Sequence, residues 1–170
     1  MFKDVLAETA VYSGGLKLPE GIKINFETLR ADILVHANDP SQQFRHSRSL
    51  DIISTYIRDF YRQKAKEPIR QKDAIGYIQN GYEGTDLIRQ ADLMDLKNAP
   101  DYTFLFGVNV NKDSCTVVIE FDNNRHKDER VTVPLYTNAF VMFPSCLRYQ
   151  FKRNTSSQPN YILTQTYELK

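Results

Sequence analysis

The chain has no tryptophan, only two cysteines and three histidines, and almost no net charge: 22 Lys+Arg stand against 21 Asp+Glu in 170 residues, a formal +1. Each shortage removes a class of function. Two cysteines, Cys115 and Cys146, do not make a disulfide framework, so a reduced, intracellular setting is expected. The near-balance of charge gives no global electrostatic footprint for nucleic acid or an anionic membrane, and no nucleic-acid partner is expected. No apolar run approaches the roughly 18–20 residues that span a bilayer. The opening "MFKDVLAETAVY" has charges where the apolar stretch of a signal peptide would stand. A cytoplasmic protein without a membrane partner is the expectation.

What is present is an ordinary core and many aromatics. Hydrophobic residues make up 41% of the chain, with ten Tyr and ten Phe. A single domain over 1–170 is expected, burying roughly 70% of its unfolded surface. In "VYSGGLKLPEGI" the residues Gly14, Gly15, Pro19 and Gly21 read as turns. From Phe26 the period is helical: Phe26, Leu29, Ile33 and Ala37 share a face. A second helix begins after Ser49 as N-cap, with Leu50, Ile53, Ile57 and Phe60 as its apolar stripe, and fades before Pro68. The period then changes to two. "AIGYIQNGY", "DYTFLFGVNV", "CTVVIEF", "VTVPLY", "NAFVMF" and "YILTQTYEL" read as strands, and "DNNRHKDER" as a charged loop. Helices followed by antiparallel strands predict an α+β fold: N-terminal helices (1–73) packed on an antiparallel double-stranded β-helix, or jelly roll (74–170).

Few local motifs carry chemistry. Cys115 and Cys146 read as small buried hydrophobes, with no histidine near either in sequence. Asp128 and Glu129 sit in a charged loop and read as a solvated turn. "SGG" and "GYEG" lack the strand-to-helix context of a phosphate loop. "RYQFKR" alternates Arg148, Gln150 and Lys152 with Tyr149 and Phe151, the pattern of a half-buried strand with a basic outer face.

Four stretches together carry a family resemblance: "NGYEGTDLIRQADL", "YTFLFGVNVNKDSCTVVIEF", "VPLYTNAFVMFPSCLRY" and "NYILTQTYEL". They resemble the strands of the 2-oxoglutarate/Fe(II) dioxygenase superfamily, especially its small prolyl-hydroxylase-like members. "MFPS" is the most specific of these signals. The resemblance implies a cleft at four positions. Its His-x-Asp motif falls on Gln90-Ala91-Asp92, its distal histidine on Tyr149, and its oxoglutarate-binding arginine near Asn160. A second register, anchored on Pro100, puts Lys97 and Ala99 where the histidines would be. Such an iron site needs two neutral imidazoles and a carboxylate on one face of the metal. Only Asp92 keeps its type, and His36, His46 and His126 lie on no strand of the expected barrel.

The sequence therefore predicts a vestigial cleft of Gln90, Asp92, Tyr149 and Asn160, with no catalytic, cofactor-binding or metal residue, no cofactor, and no enzymatic activity. The expected role is a structural or assembly component that docks with other subunits, in a homo-oligomer or larger assembly. By association with oxygenase-like proteins of tailed phages, a virion part (neck, tail or head) is the concrete expectation. The alternatives are an active hydroxylase using Fe(II) and 2-oxoglutarate, and a module that binds a small ligand in the cleft.

Overall fold

Helix α1 (Phe26–Asn38) forms where the apolar spacing places it. Asn25 caps it, its side chain accepting the Thr28 N–H at 3.0 Å. Helix α2 (Arg48–Ala65) starts one residue before the expected cap: Ser47 adopts the extended cap conformation and accepts the Leu50 N–H at 3.2 Å. Ser49 instead accepts the Asn25 N–H at 2.9 Å, tying the two helix starts together. The helix closes on Lys66 in the left-handed region (φ 60), two residues before Pro68. The computed structural model describes residues 9–124 and 127–170. Among the described residues, no helix is long and apolar enough to cross a membrane.

Among the described residues, one strand before the helices and seven after them form two antiparallel sheets. The strands are β1 (Tyr12–Gly15), β2 (Ile69–Gln79), β3 (Tyr102–Asn109), β4 (Cys115–Asn124), β5 (Lys127–Leu135), β6 (Ala139–Pro144), β7 (Arg148–Phe151) and β8 (Asn160–Leu169). The larger sheet runs β1-β6-β3-β8-β2 and the smaller β5-β4-β7. This is the α+β arrangement of helices on an antiparallel jelly roll that the sequence predicts.

Alternation of side chains along the strands builds two cores. On the outer face of the larger sheet, Phe104, Phe106, Met142, Leu163 and Tyr167 pack with Leu29 and Ile33 of α1 and Ile53 and Ile57 of α2. Between the sheets, Leu105, Val141, Phe143 and Ile162 meet Val117, Ile119, Tyr149 and Phe151 of the smaller sheet. Strands β3 and β6 are thus buried on both faces, which is why they read as nearly continuous apolar runs.

Three boundaries differ from the sequence expectation. Gly14 and Gly15 lie on β1 and pair with Phe140 and Ala139, because backbone pairing at a sheet edge asks nothing of the side chains. Strand β2 begins at Ile69 and so crosses the expected division at 73/74. The β4–β5 ladder runs on through Asp122↔Asp128 and Asn124↔Lys127, well into the stretch expected to be loop. Polar residues are no obstacle to backbone pairing between two strands, and His126 lies outside the described residues.

Candidate functional site

The segment between β2 and β3 carries the first pair of expected site residues. It does not form a full strand, because only Ile88 bridges to β7, opposite Tyr149. The pairing is nonetheless close. The Ile88 N–H donates to the Tyr149 carbonyl at 2.7 Å, and the Tyr149 N–H to the Ile88 carbonyl at 2.9 Å. Three residues further on, the Ala91 N–H donates to the carbonyl of Ser145 in the "FPS" turn at 3.1 Å. The Ser145 hydroxyl is itself buried against Thr103 at 2.7 Å.

These anchors bring Gln90 and Tyr149 together. The Gln90 amide donates to the Tyr149 hydroxyl at 2.8 Å. Tyr149 is almost wholly buried, with its ring edge-on to Phe143 (5.2 Å) and to Phe151 (6.0 Å). Tyr77 stacks on Phe151 at 5.0 Å, so aromatic rings fill this part of the space between the sheets. Burial pushes the Tyr149 phenol above its ordinary value, against a smaller lowering by the Gln90 amide. It stands as a neutral phenol.

The other two expected residues lie apart from this pair. Asp92 is exposed and turns to its own loop, accepting the Met94 N–H at 2.8 Å. Asn160 is buried in a separate polar network. Its Oδ1 accepts from the Asn111 N–H (2.9 Å) and the Ser114 hydroxyl (3.0 Å), and its amide donates to Gln79 (3.1 Å). Gln79 in turn donates to the carbonyls of Glu83 and Lys152. Sequence reasoning missed this network, although fully buried Asn and Gln side chains must find partners. The signal was a polar residue opening the otherwise apolar strand "NYIL". The same holds for Gln165, which donates to Ser54 of α2 at 2.9 Å and accepts from the Tyr167 hydroxyl at 3.0 Å.

The donor set does not fit a ferrous ion. Two neutral imidazoles are needed, and the two positions implied for them hold an amide and a phenol that satisfy each other. His36 accepts the Gly76 N–H at 3.3 Å and packs on Phe44, while His46 pairs with Asp51 at 3.2 Å. No group of three His, Cys, Asp or Glu among the described residues is placed to hold a metal. Asn160 likewise cannot offer the charged, two-pronged contact that arginine makes with a carboxylate. What the pair Gln90–Tyr149 offers is one buried hydroxyl and one amide: neutral hydrogen-bonding chemistry.

Comparison with solved structures gives the fold a context. A Pseudomonas putida prolyl-4-hydroxylase covers 97% of this chain and 91% of its own at a TM-score of 0.64 and 10% identity. The non-haem alpha-ketoglutarate-dependent carbocyclase SnoK from nogalamycin biosynthesis covers 96% and 80%, at 0.67 and 12%. The epimerase SnoN, in complex with Fe3+, alpha-ketoglutarate and nogalamycin RO, covers 94% and 79%, at 0.65 and 11%. No protein family defined by sequence matches the chain, and no curated protein does.

The likeness is one of fold, and it corrects two expectations. The sequence predicts no enzyme and no cofactor. The similar structures are ketoglutarate-dependent and hydroxylating enzymes, one of them holding iron and ketoglutarate. The flaw in the sequence argument is physical. Side-chain types at two positions of a motif report on those positions, whereas activity belongs to the whole scaffold and to every group it presents.

Proposed function

We propose that the chain acts as an oxygenase-type enzyme of the 2-oxoglutarate/Fe(II) class. The observation that carries the reading is the match of fold over nearly the whole chain to prolyl-4-hydroxylase, with Gln90 and Tyr149 facing one another across the two segments where the resemblance sets the metal ligands. The described donors do not by themselves fit the ion. Asp4, Glu8 and His126, which carry groups of the right kind, lie outside the described residues. The test is anaerobic titration of the protein with Fe(II) and 2-oxoglutarate, followed by admission of air. A stoichiometric complex with a visible charge-transfer band, and release of succinate, are expected. Neither band nor succinate at saturating reagents would overturn the reading.

The Gln90–Tyr149 hydrogen bond favours a second reading, a binder of a small polar molecule that exchanges this bond for its own. Thermal-shift measurements with dicarboxylates and sugars test it. Stabilisation that disappears in Tyr149→Phe supports it, and a flat response across the set overturns it.

A further inference from the structure

Strand β2 ends the larger sheet, and an edge strand leaves backbone N–H groups without a ladder partner. Two N–H groups of β2 are taken by side chains instead. Ala74 N–H donates to Asp73 Oδ1 at 2.8 Å, and Gly76 N–H donates to Nδ1 of His36 at 3.3 Å. His36 reaches the strand from the last turn of α1 and is buried, its ring 5.5 Å from that of Phe44.

This bond fixes the state of the imidazole. A ring nitrogen accepts only while it carries no proton, so the ring is neutral with its proton on Nε2. In the imidazolium both nitrogens donate. Nδ1–H then faces Gly76 N–H, donor against donor, and the bond is lost.

A different partner stands one helical turn away. Asp32 and His36 share the buried face of α1, four residues apart, the spacing at which side chains on a helix meet. Asp32 Oδ2 is buried and has no hydrogen-bond partner among the described residues, while Arg45, from the connection between the helices, stands 4.0 Å from Oδ1. The other charges around His36 are engaged. Asp39, close enough to feel the charge of His36, accepts from Ser41 and Gln42. On β2, Asp73 holds Ala74 N–H, and Lys72 turns to the Asn98 carbonyl and Glu168. On α2, Asp51 pairs with His46.

We propose that His36 is an acid-released latch: neutral, it clasps the end of α1 to the edge of β2 through Gly76; protonated, it lets go of the strand and turns to Asp32. Gly76 is only half-buried, so water can take over its N–H when the latch opens.

Amide hydrogen exchange at Gly76 tests the latch, followed by NMR from pH 7.5 to pH 5, the range in which histidine ordinarily titrates, and corrected for the intrinsic exchange rate. Protection of Gly76 is expected to fall about tenfold on acidification, the loss of one hydrogen bond, while the amides of β3 keep theirs. His36→Gln offers an acceptor that takes up no proton in this range, and its Gly76 protection is expected to stay constant with pH. Asp32→Asn removes the charge that awaits the imidazolium and is expected to move the fall to lower pH. Circular dichroism confirms that each variant folds as the parent does. Protection in the parent that does not change with pH, the same fall in His36→Gln, or an unmoved midpoint in Asp32→Asn would each overturn the proposal.

Discussion

Tyr149 takes the Gln90 amide on its hydroxyl while exchanging both backbone hydrogen bonds with Ile88, so three bonds from one residue hold segment 88–90 to β7. Tyr149→Phe removes one of the three and leaves the ring packing intact. A loss of about 1 kcal/mol in urea unfolding is expected, the usual net value of a hydrogen bond. Tyr149→Ala also empties a buried ring site and is expected to cost about 3–5 kcal/mol. Equal costs for the two would mean that the hydroxyl, not the ring, holds this junction.

Alkaline pH is expected to unfold the protein in a defined window. Burial raises Cys115 from 9.0 to about 12, and burial chiefly raises Tyr77 from 10.0 to about 12. Tyr61, Tyr149 and Tyr167 are shifted the same way, mainly by burial. A raised folded-state value means the neutral form is favoured in the native protein. That stability is complete below about pH 9, where the unfolded groups are still protonated, and drains away as pH rises towards about 12. Unfolding free energy measured from pH 8 to 12 should fall throughout this range. A flat profile to pH 12 would contradict the burial of these groups.

Asp32 carries an unusual burden. Its carboxylate is buried on α1, one oxygen has no hydrogen-bond partner among the described residues, and Arg45 stands 4.0 Å away with its own side chain largely in water. Burial raises the carboxyl above its ordinary 3.8, with the Arg45 guanidinium opposing. The group therefore favours folding while protonated, and this contribution is lost as pH rises through the raised value. Asp32→Asn, neutral at every pH, is expected to gain about 1 kcal/mol over the parent near pH 7 and little below pH 3.8. Thermal unfolding at the two pH values decides it. A loss at pH 7 would show the charge to be useful where it is.

Gly76 is where α1 lies on the sheet. A Cβ placed there would sit 2.9 Å from the Cα of Ile33, inside the closest normal contact and against helix backbone. Gly76→Ala is expected to push the helix outward at a cost of about 1–3 kcal/mol, typical of overpacking. The same change at Gly14, whose Cβ would meet nothing within 4 Å, is the control and should leave the unfolding midpoint in place.

Much of the fold was legible in the sequence because its periods are local. Leu29 and Ile33, or Ile53 and Ile57, sit one helical turn apart and announce a face. Phe104 and Phe106 announce a strand. Strand β1 was hidden, since Tyr12–Gly15 owes its existence to β6, more than a hundred residues away, and not to anything in "YSGG". The candidate site was legible only in part for the same reason. A motif placed Gln90 and Tyr149 in one cleft, but their hydrogen bond joins residues 59 apart and leaves no trace in either segment. It also grouped Asp92 and Asn160 with them, whereas one side chain caps its own loop and the other serves the turn around Asn111.

The position of β8 has a consequence for how the chain comes together during translation. It lies between β2 and β3, and on its outer side Gln165 and Tyr167 meet Ser54 and the helix layer. Until residues 160–169 have left the ribosome, β2 has no partner strand and the helices have only part of a floor to settle on. The nascent chain must therefore carry α1 and α2 without their full floor until β8 has emerged.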